Sequence, residues 1–105
     1  MKPQIYSLNY TGQILDLSCF SNQLLELTSR EWEVLICIAD DLTSNEIAER
    51  LSLTEKSVGN YRNRIGHKLN LNGVHNLARF ARKHADELHL WHTQRCLLLG
   101  ISDSR

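Results

Sequence analysis

The sequence predicts a mainly α-helical fold that is preceded by a β-hairpin, and two observations support this prediction. Three threonines, each followed by an apolar pattern of helical period, mark helix starts at Thr28, Thr43 and Thr54. The residues before them instead form two β-forming segments on either side of Thr11-Gly12-Gln13, which is typical turn chemistry. We therefore expect three parts: a β-hairpin extension at 1–27, a four-helix domain at 28–90, and a helix extension with a tail at 91–105.

The composition indicates one folded globular domain. The 105 residues are 42% hydrophobic and 23% charged, which is the balance of a folded chain rather than a disordered one. No apolar run approaches the roughly 18 residues that cross a bilayer, and the first ten residues lack the apolar centre of a signal peptide. We expect a cytoplasmic protein with no membrane partner.

The residues that usually bind metals or catalyse reactions show no compelling pattern. Cys19, Cys37 and Cys96 are odd in number and widely spaced, which argues against a disulfide scaffold. His89 and His92 share a helical spacing with Cys96, but three ligands on one helix make a weak metal motif. No nucleophile–base pair, paired-carboxylate site or glycine-rich phosphate loop is visible. We expect no metal, no cofactor and no enzymatic activity.

The N-terminal segment predicts two short strands. Residues 5–10 and 14–20 are rich in β-forming side chains and are separated by the turn. An isolated hairpin is only marginally stable in water. We therefore expect this hairpin to pack on the helices or on a second chain.

The three threonines predict helix caps. The Thr28 hydroxyl is expected to accept a hydrogen bond from the Glu31 amide while the Glu31 carboxylate reaches back to the Thr28 amide. Thr43 and Glu46 repeat this capping box, whereas Thr54 lacks the glutamate three residues later. The predicted helices span about 29–40, 44–51 and 55–69, and a fourth runs from about residue 73 without a breaker.

The charges are segregated along the chain although the formal net charge is zero. Residues 16–55 hold nine acids against two bases, and residues 56–83 hold seven bases and no acid. A basic block inside a neutral protein is typical of a local polyanion-binding face. Mutual neutralisation of the two blocks across the fold is the alternative.

The second and third predicted helices form a helix-turn-helix pattern. They are short, a tight turn joins them, and the second of the pair has a polar and basic side. Val58, Ile65 and Leu69 form its apolar stripe. Asparagine and arginine side chains on the other side match the hydrogen-bonding edges of bases in the major groove. A polar face that only meets water remains open as an alternative.

Several sequence fragments follow one another in order from Leu27 onwards. They are Leu27-Thr28-x-Arg30-Glu31-x-Glu33-Val34-Leu35, Ile38-Ala39, Glu46-Ile47-Ala48-x-x-Leu51, Thr54-x-x-Ser57-Val58-x-Asn60-Tyr61 and Ile65-x-x-Lys68-Leu69. In this order and at this spacing they resemble the LuxR/GerE-type helix-turn-helix of bacterial transcription regulators, over about residues 27–85. The resemblance implies a four-helix bundle whose third helix enters the major groove and whose fourth commonly dimerises. It also implies the DNA-binding output of a response regulator or ligand sensor.

The chain departs from the family pattern at five positions. Asp41 stands where a glycine usually ends the first helix, and Asn45 stands where a lysine is common. On the third helix, Gly59 replaces a frequent lysine, Tyr61 a frequent histidine, and Asn63 a residue that is often basic. We expect the role of the third helix to be kept and its base preferences to differ from those of relatives.

The resemblance and the side-chain chemistry together predict a DNA interface on the third helix. Asn60 and Asn63 are expected to read base edges, adenine in particular, and Gly59 to permit close approach of the backbone. The predicted phosphate contacts come from Lys56, Ser57, Tyr61, Arg62, Arg64 and Lys68. With His67, which lies on the same polar face, these residues form the predicted double-stranded DNA site.

The fourth predicted helix carries an apolar seam at heptad spacing, which predicts a homodimer. Operator half-sites also favour two-fold symmetric proteins. The alternative is a helix that packs on its own core. RNA polymerase is a further candidate partner of a transcription regulator. The predicted dimer interface comprises Val74, Leu77, Ala81, His84, Leu88 and Trp91.

A second class of function also fits the sequence. The missing lysines at Asn45, Gly59 and Asn63 suit a protein-interaction or dimerisation module whose helix-turn-helix has degenerated and lost DNA affinity. The roughly 27 residues before the helices leave no room for a receiver or sensor domain. We therefore expect either a stand-alone regulator or one module of a longer chain.

Overall fold

The computed structural model describes residues 7–8, 14–15, 20–71 and 73–99. Two strands, β1 (Ser7–Leu8) and β2 (Ile14–Leu15), pair antiparallel, with Ser7 opposite Leu15 and Leu8 opposite Ile14. Within the described residues, six helices follow them. They are α1 (Ser21–Leu25), α2 (Ser29–Ala39), α3 (Ser44–Leu51), α4 (Glu55–Lys68), α5 (Val74–Lys83) and α6 (Ala85–Leu99).

The predicted fold class requires a correction at the N-terminus. Among the described residues, the strands pair over two residues on each side, which is too little to stand as a sheet. Ser21–Leu25, inside the expected hairpin extension, is helical, and this conformation buries Leu24 completely. Every regular element within 20–71 and 73–99 is a helix. The helical bundle agrees with the prediction, whereas the β-hairpin as a fold-defining element is wrong. Apart from Phe20, which directly precedes α1, the rest of its expected strands lies outside the described residues.

The fourth predicted helix is in fact two helices. α5 ends at Lys83, and His84 leaves the helical conformation with φ −109° and ψ 26°. The chain re-enters a helix at once, since the Leu88 amide donates to the His84 carbonyl oxygen at 2.8 Å. No glycine or proline marks this break in the sequence. The expected boundary between residues 90 and 91 lies within α6, and the division into domains stays a prediction.

The predicted caps at the helix starts are confirmed. The Thr28 hydroxyl accepts from the Glu31 amide at 3.1 Å, and the Thr28 amide donates to Glu31 Oε1 at 2.9 Å. Thr43 and Glu46 form the same reciprocal pair at 3.1 and 2.8 Å. These bonds satisfy amides that the first helical turn leaves without partners. Local sequence therefore sets where α2 and α3 begin.

Three helices end on residues in the left-handed conformation without being glycine. Asp41, Ser52 and Asn70 have φ of 68°, 58° and 61°. After Asp41 the Leu42 amide donates back to the Cys37 carbonyl oxygen at 3.1 Å, which closes the end of α2. The turn for which the resemblance implied a glycine is therefore made here with aspartate.

Helix α2 lies at the centre of the bundle. It packs against α3, α4, α5 and α6, and Trp32, Leu35 and Ile38 are among its fully buried side chains. The Trp32 indole N–H donates to the Leu24 carbonyl oxygen at 3.2 Å, which ties α1 to α2. Within 20–71 and 73–99, no helix combines the length and apolarity required to cross a bilayer.

Candidate nucleic-acid interface

Helix α4 turns one apolar side into the bundle. Val58, Ile65 and Leu69 are fully buried, as their helical spacing predicts. Through this side α4 packs against α2, α3 and α5. The buried stripe fixes which side of α4 faces away from the protein.

The opposite side of α4 is a polar surface, which we call the outward stripe. It consists of Lys56, Asn60, Asn63 and His67, all exposed and spaced three or four residues apart. Each asparagine offers a donor and an acceptor on one planar group, and the imidazole offers one or two donors. The outward stripe thus combines hydrogen-bonding capacity with a single lysine at its N-terminal end.

Ser57, Gly59 and Tyr61 flank the outward stripe and are partly exposed. The Ser57 amide donates to the Thr54 hydroxyl oxygen at 3.0 Å, and that hydroxyl donates to Ser57 Oγ at 3.0 Å. Ser57 therefore also takes part in the cap of α4. A methyl group added at Gly59 would meet nothing within 4 Å, so the fold itself does not require glycine there.

Two predicted phosphate-binding residues, Lys68 and Arg64, lie beside the buried carboxylate of Glu31. The Lys68 ammonium donates to Glu31 Oε1 at 2.8 Å and to the Glu26 carbonyl oxygen at 3.1 Å. Arg64 Nε lies 3.7 Å from Glu31 Oε2, and its guanidinium carbon lies 4.8 Å from the centre of the Tyr61 ring. Glu31 is only 2% exposed. Lys68 and Arg64 are thus held on the side of α4 that meets the start of α2.

Opposing influences act on the ionisation of Glu31. Burial favours its neutral form and raises the pKa. The hydrogen bonds from Lys68 and the Thr28 amide, together with the charges of Lys68 and Arg64, outweigh burial and lower the pKa. Glu31 is therefore ionised at neutral pH and anchors two cations of α4.

A cleft of about 420 Å³ opens where the C-terminal half of α4 meets the loop before α5. Arg62, Asn63 and His67 line it from α4, and Asn70 lines it from the loop. Burial lowers the pKa of the Arg62 guanidinium, which stays charged at neutral pH. The cleft brings three predicted site residues together, and Asn70 joins them. The sequence signal for Asn70 was its place just after Leu69, which caps α4, where asparagine often adopts the left-handed conformation.

Gly66 has a packing role that differs from that of Gly59. It is buried, and a methyl group added there would lie 3.2 Å from the Leu71 carbonyl oxygen. The Leu71 amide also donates to the Gly66 carbonyl oxygen at 2.8 Å. Gly66 therefore permits the loop to close against the end of α4.

Most of the predicted dimer residues with described side chains lie inside the protein. Leu77, Ala81 and Leu88 are buried in the core, whereas His84 and Trp91 are partly exposed. The side chain of Val74 lies outside the described part. The heptad pattern thus coincides with the side of α5 and α6 that packs on the bundle.

The histidines of α6 have separate surroundings. His89 Nε2 lies 2.7 Å from Asp40 Oδ1, and His92 Nε2 lies 3.6 Å from Cys96 Sγ. His92 also stacks on Trp32 with ring centres 5.8 Å apart. In the part of the chain that the structure describes, no three histidine, cysteine or acidic side chains are grouped to hold a metal ion.

The chain is similar to known bacterial regulators. The pattern of the GerE family, described as bacterial regulatory proteins of the luxR family, matches residues 25–81. A candidate transcriptional regulator of Pseudomonas aeruginosa is 41% identical over 64 residues, which cover 61% of this chain and 31% of that protein. Response regulator UvrY of Escherichia coli K12 is 38% identical over 58 residues, which cover 55% of this chain and 27% of UvrY. No solved structure matches the chain.

This chain spans less than a third of the length of these two relatives. The family match nevertheless covers more than half of the chain, and it includes α2, α3 and α4 in full. The chain therefore belongs to the luxR family of bacterial regulatory proteins and carries its DNA-binding helix-turn-helix domain.

Proposed function

We propose that this chain regulates transcription by placing α4 in the major groove of double-stranded DNA. The observation that carries the proposal is the outward stripe, which faces away from a helix fixed by three buried side chains. An α-helix fits the major groove, where base edges present distinct donor and acceptor patterns. The names of the two relatives, a transcriptional regulator and a response regulator, support the same role.

Asn60 and Asn63 are proposed to read bases, because an exposed asparagine can pair with both the N6 and N7 positions of adenine. Lys56, one turn before Asn60, and Arg62, which lines the cleft beside Asn63, are proposed to contact phosphates. Ser57 and Tyr61 are proposed to assist at the flank. Arg64 and Lys68 already interact with Glu31. We therefore assign them a smaller share of the phosphate contacts than the sequence suggested.

A substitution pair tests base reading. Duplexes selected from a random pool by the unchanged protein are compared with those selected by Asn60→Ala and Asn63→Ala. Each substitution is expected to relax the preference at one base pair, at a cost of about 1–3 kcal/mol. Asn22→Ala is the matched control, because Asn22 is also exposed but lies on α1. Unchanged preferences in both α4 variants would contradict the assignment.

A protein-interaction module is the second candidate, and the engagement of Arg64 and Lys68 by Glu31 supports it. If α4 still binds DNA, the logarithm of the association constant falls with the logarithm of salt concentration by about 0.9 per neutralised phosphate. An electrophoretic shift with pooled random duplexes at low salt separates the two candidates. No shift at protein concentrations well above the micromolar range would favour the interaction module.

Three further features belong to the same proposal. We infer that the protein acts in the cytoplasm as a homodimer and that it contacts RNA polymerase when bound near a promoter. Two-fold symmetric binding doubles the contacts made to paired half-sites. The proposed DNA-binding role and the family membership support these inferences.

A further inference from the structure

Helix α6 carries apolar side chains on opposite sides. Leu88 and Cys96 are buried on the side that faces the bundle. On other sides, Leu97 and Leu98 are 76% and 85% exposed. Apolar side chains that project away from a helix's own core are often covered by another surface. α6 also begins after residue 81, where the match to the family pattern ends.

A cleft lies beside these exposed leucines. It holds about 460 Å³ between α1 and α6, and its lining is mostly apolar. Leu25 of α1 is 74% exposed and lies at this cleft, as does Leu98 of α6. The lining comprises Leu24, Leu25, Trp32, Trp91, Gln94, Arg95 and Leu98. We call this surface the α1–α6 face.

The α1–α6 face carries one charge. That charge belongs to Arg95, whose guanidinium donates to the Ser29 hydroxyl oxygen at 3.3 Å. When this face packs against the same face of a second copy, it therefore does not place several like charges opposite one another. Monomeric proteins rarely expose contiguous apolar patches larger than a few hundred Å².

The outer side of α5 has the opposite character. His75, Arg79, Arg82 and Lys83 are exposed there at helical spacing, and Arg82 alone has an acidic neighbour among the described ion pairs, Asp41 at 3.5 Å. A two-fold contact between two α5 helices would oppose these cations to one another. Like charges in such contact are unfavourable.

We propose that a second copy of this chain covers the α1–α6 face, so that each protomer packs this face on the same face of the other. A two-fold contact requires a self-complementary patch. The α1–α6 face meets this requirement because it holds projecting leucines, Leu25 and Leu98, next to a cleft lined by Trp32 and Trp91. The inference rests on the proposed function in one respect: a DNA site with two half-sites favours a dimeric protein.

The test is the mass of the full chain in solution, measured by sedimentation equilibrium over a range of concentrations. The unchanged protein is expected to dimerise. Leu98→Glu and Leu25→Glu are each expected to raise the dissociation constant of the dimer by about a hundredfold or more, because they place charge in an apolar contact. Both leucines are exposed within one protomer, so the fold should persist, and circular dichroism during heating checks this. Leu98→Ser serves if the glutamate variant unfolds.

Arg79→Glu on α5 is the matched control and is expected to leave the dimer unchanged. A monomeric unchanged protein, or dimers that persist in the Leu98→Glu, Leu98→Ser and Leu25→Glu variants, would overturn the inference. Dissociation caused by Arg79→Glu alone would assign the interface to α5 and also overturn it. Binding to pooled random duplexes at low salt is measured in parallel. If the unchanged protein does not bind these duplexes, the proposed function is contradicted, but the mass measurements still test the dimer interface.

Discussion

The ammonium of Lys68 lies 2.8 Å from the buried carboxylate of Glu31, across 37 residues of sequence. Lys68 is the last residue of α4, and Glu31 belongs to the first turn of α2. The same carboxylate closes the capping box with Thr28. One buried group therefore sets where α2 begins and holds the C-terminal end of the proposed recognition helix.

Loss of this ion pair is expected to destabilise the protein. Lys68→Ala should lower the free energy of unfolding by about 1–3 kcal/mol, because it leaves a buried carboxylate with fewer partners. Arg64→Ala should cost less than about 1 kcal/mol, since Arg64 is more exposed and lies 3.7 Å from the carboxylate. Urea unfolding of both variants measures the difference. Equal losses would show that Lys68 has no special role.

Stability should also depend on pH through Glu31. Its pKa is lowered in the folded protein relative to the ordinary value of 4.5, so the unfolded chain takes up the proton first as pH falls. The stabilisation is therefore complete well above pH 4.5 and is lost as pH falls through the folded pKa. Thermal unfolding of the unchanged protein and Glu31→Gln is compared from pH 7 to pH 3. The advantage of the unchanged protein should shrink towards acid, and an advantage that is independent of pH would contradict the assignment.

Local features of the sequence predicted the framework of this fold. Thr28, Thr43 and Thr54 each act on an amide three residues later, so the sequence nearby contains the whole interaction. The apolar spacing of Val58, Ile65 and Leu69 likewise indicated the buried side of α4, and hence its outward side. Interactions between residues one or two helical turns apart could therefore be predicted from the sequence.

Contacts between residues that are far apart in the sequence could not be predicted from it. Lys68 looked like a phosphate contact because its partner, Glu31, lies far away in sequence. Leu77 and Leu88 looked like a dimer seam, yet both are buried, Leu77 before the break at His84 and Leu88 after it. An apolar residue at heptad spacing does not indicate whether its own core or a second chain covers it. Only the packing of α5 and α6 on α2 decides this.

The left-handed residue at the end of α3 offers a stabilising change. Ser52 has φ 58°, a conformation that glycine adopts without steric cost. Ser52→Gly is expected to raise the free energy of unfolding by about 0.5–1 kcal/mol. Ser52→Ala, which removes the hydroxyl but keeps the β-carbon, is the control and should give no gain. Asp41→Gly should gain less than Ser52→Gly, because it also removes the neighbour of Arg82. Urea unfolding distinguishes these outcomes.

Substitution of Gly59 is expected to change the stability of the fold and the affinity for DNA in opposite directions. Gly59→Ala should raise the free energy of unfolding by about 1 kcal/mol, since alanine favours a helix and the added methyl group meets open space. The same methyl group would stand between α4 and the base edges, so affinity for a selected duplex should fall. Gly66→Ala is the control, because its methyl group would lie 3.2 Å from the Leu71 carbonyl oxygen, so it should gain less stability than Gly59→Ala. Calorimetry measures the stability of Gly59→Ala, and a titration measures its affinity for the selected duplex. A stabilised variant with unchanged affinity would show that Gly59 is not needed for α4 to approach DNA closely.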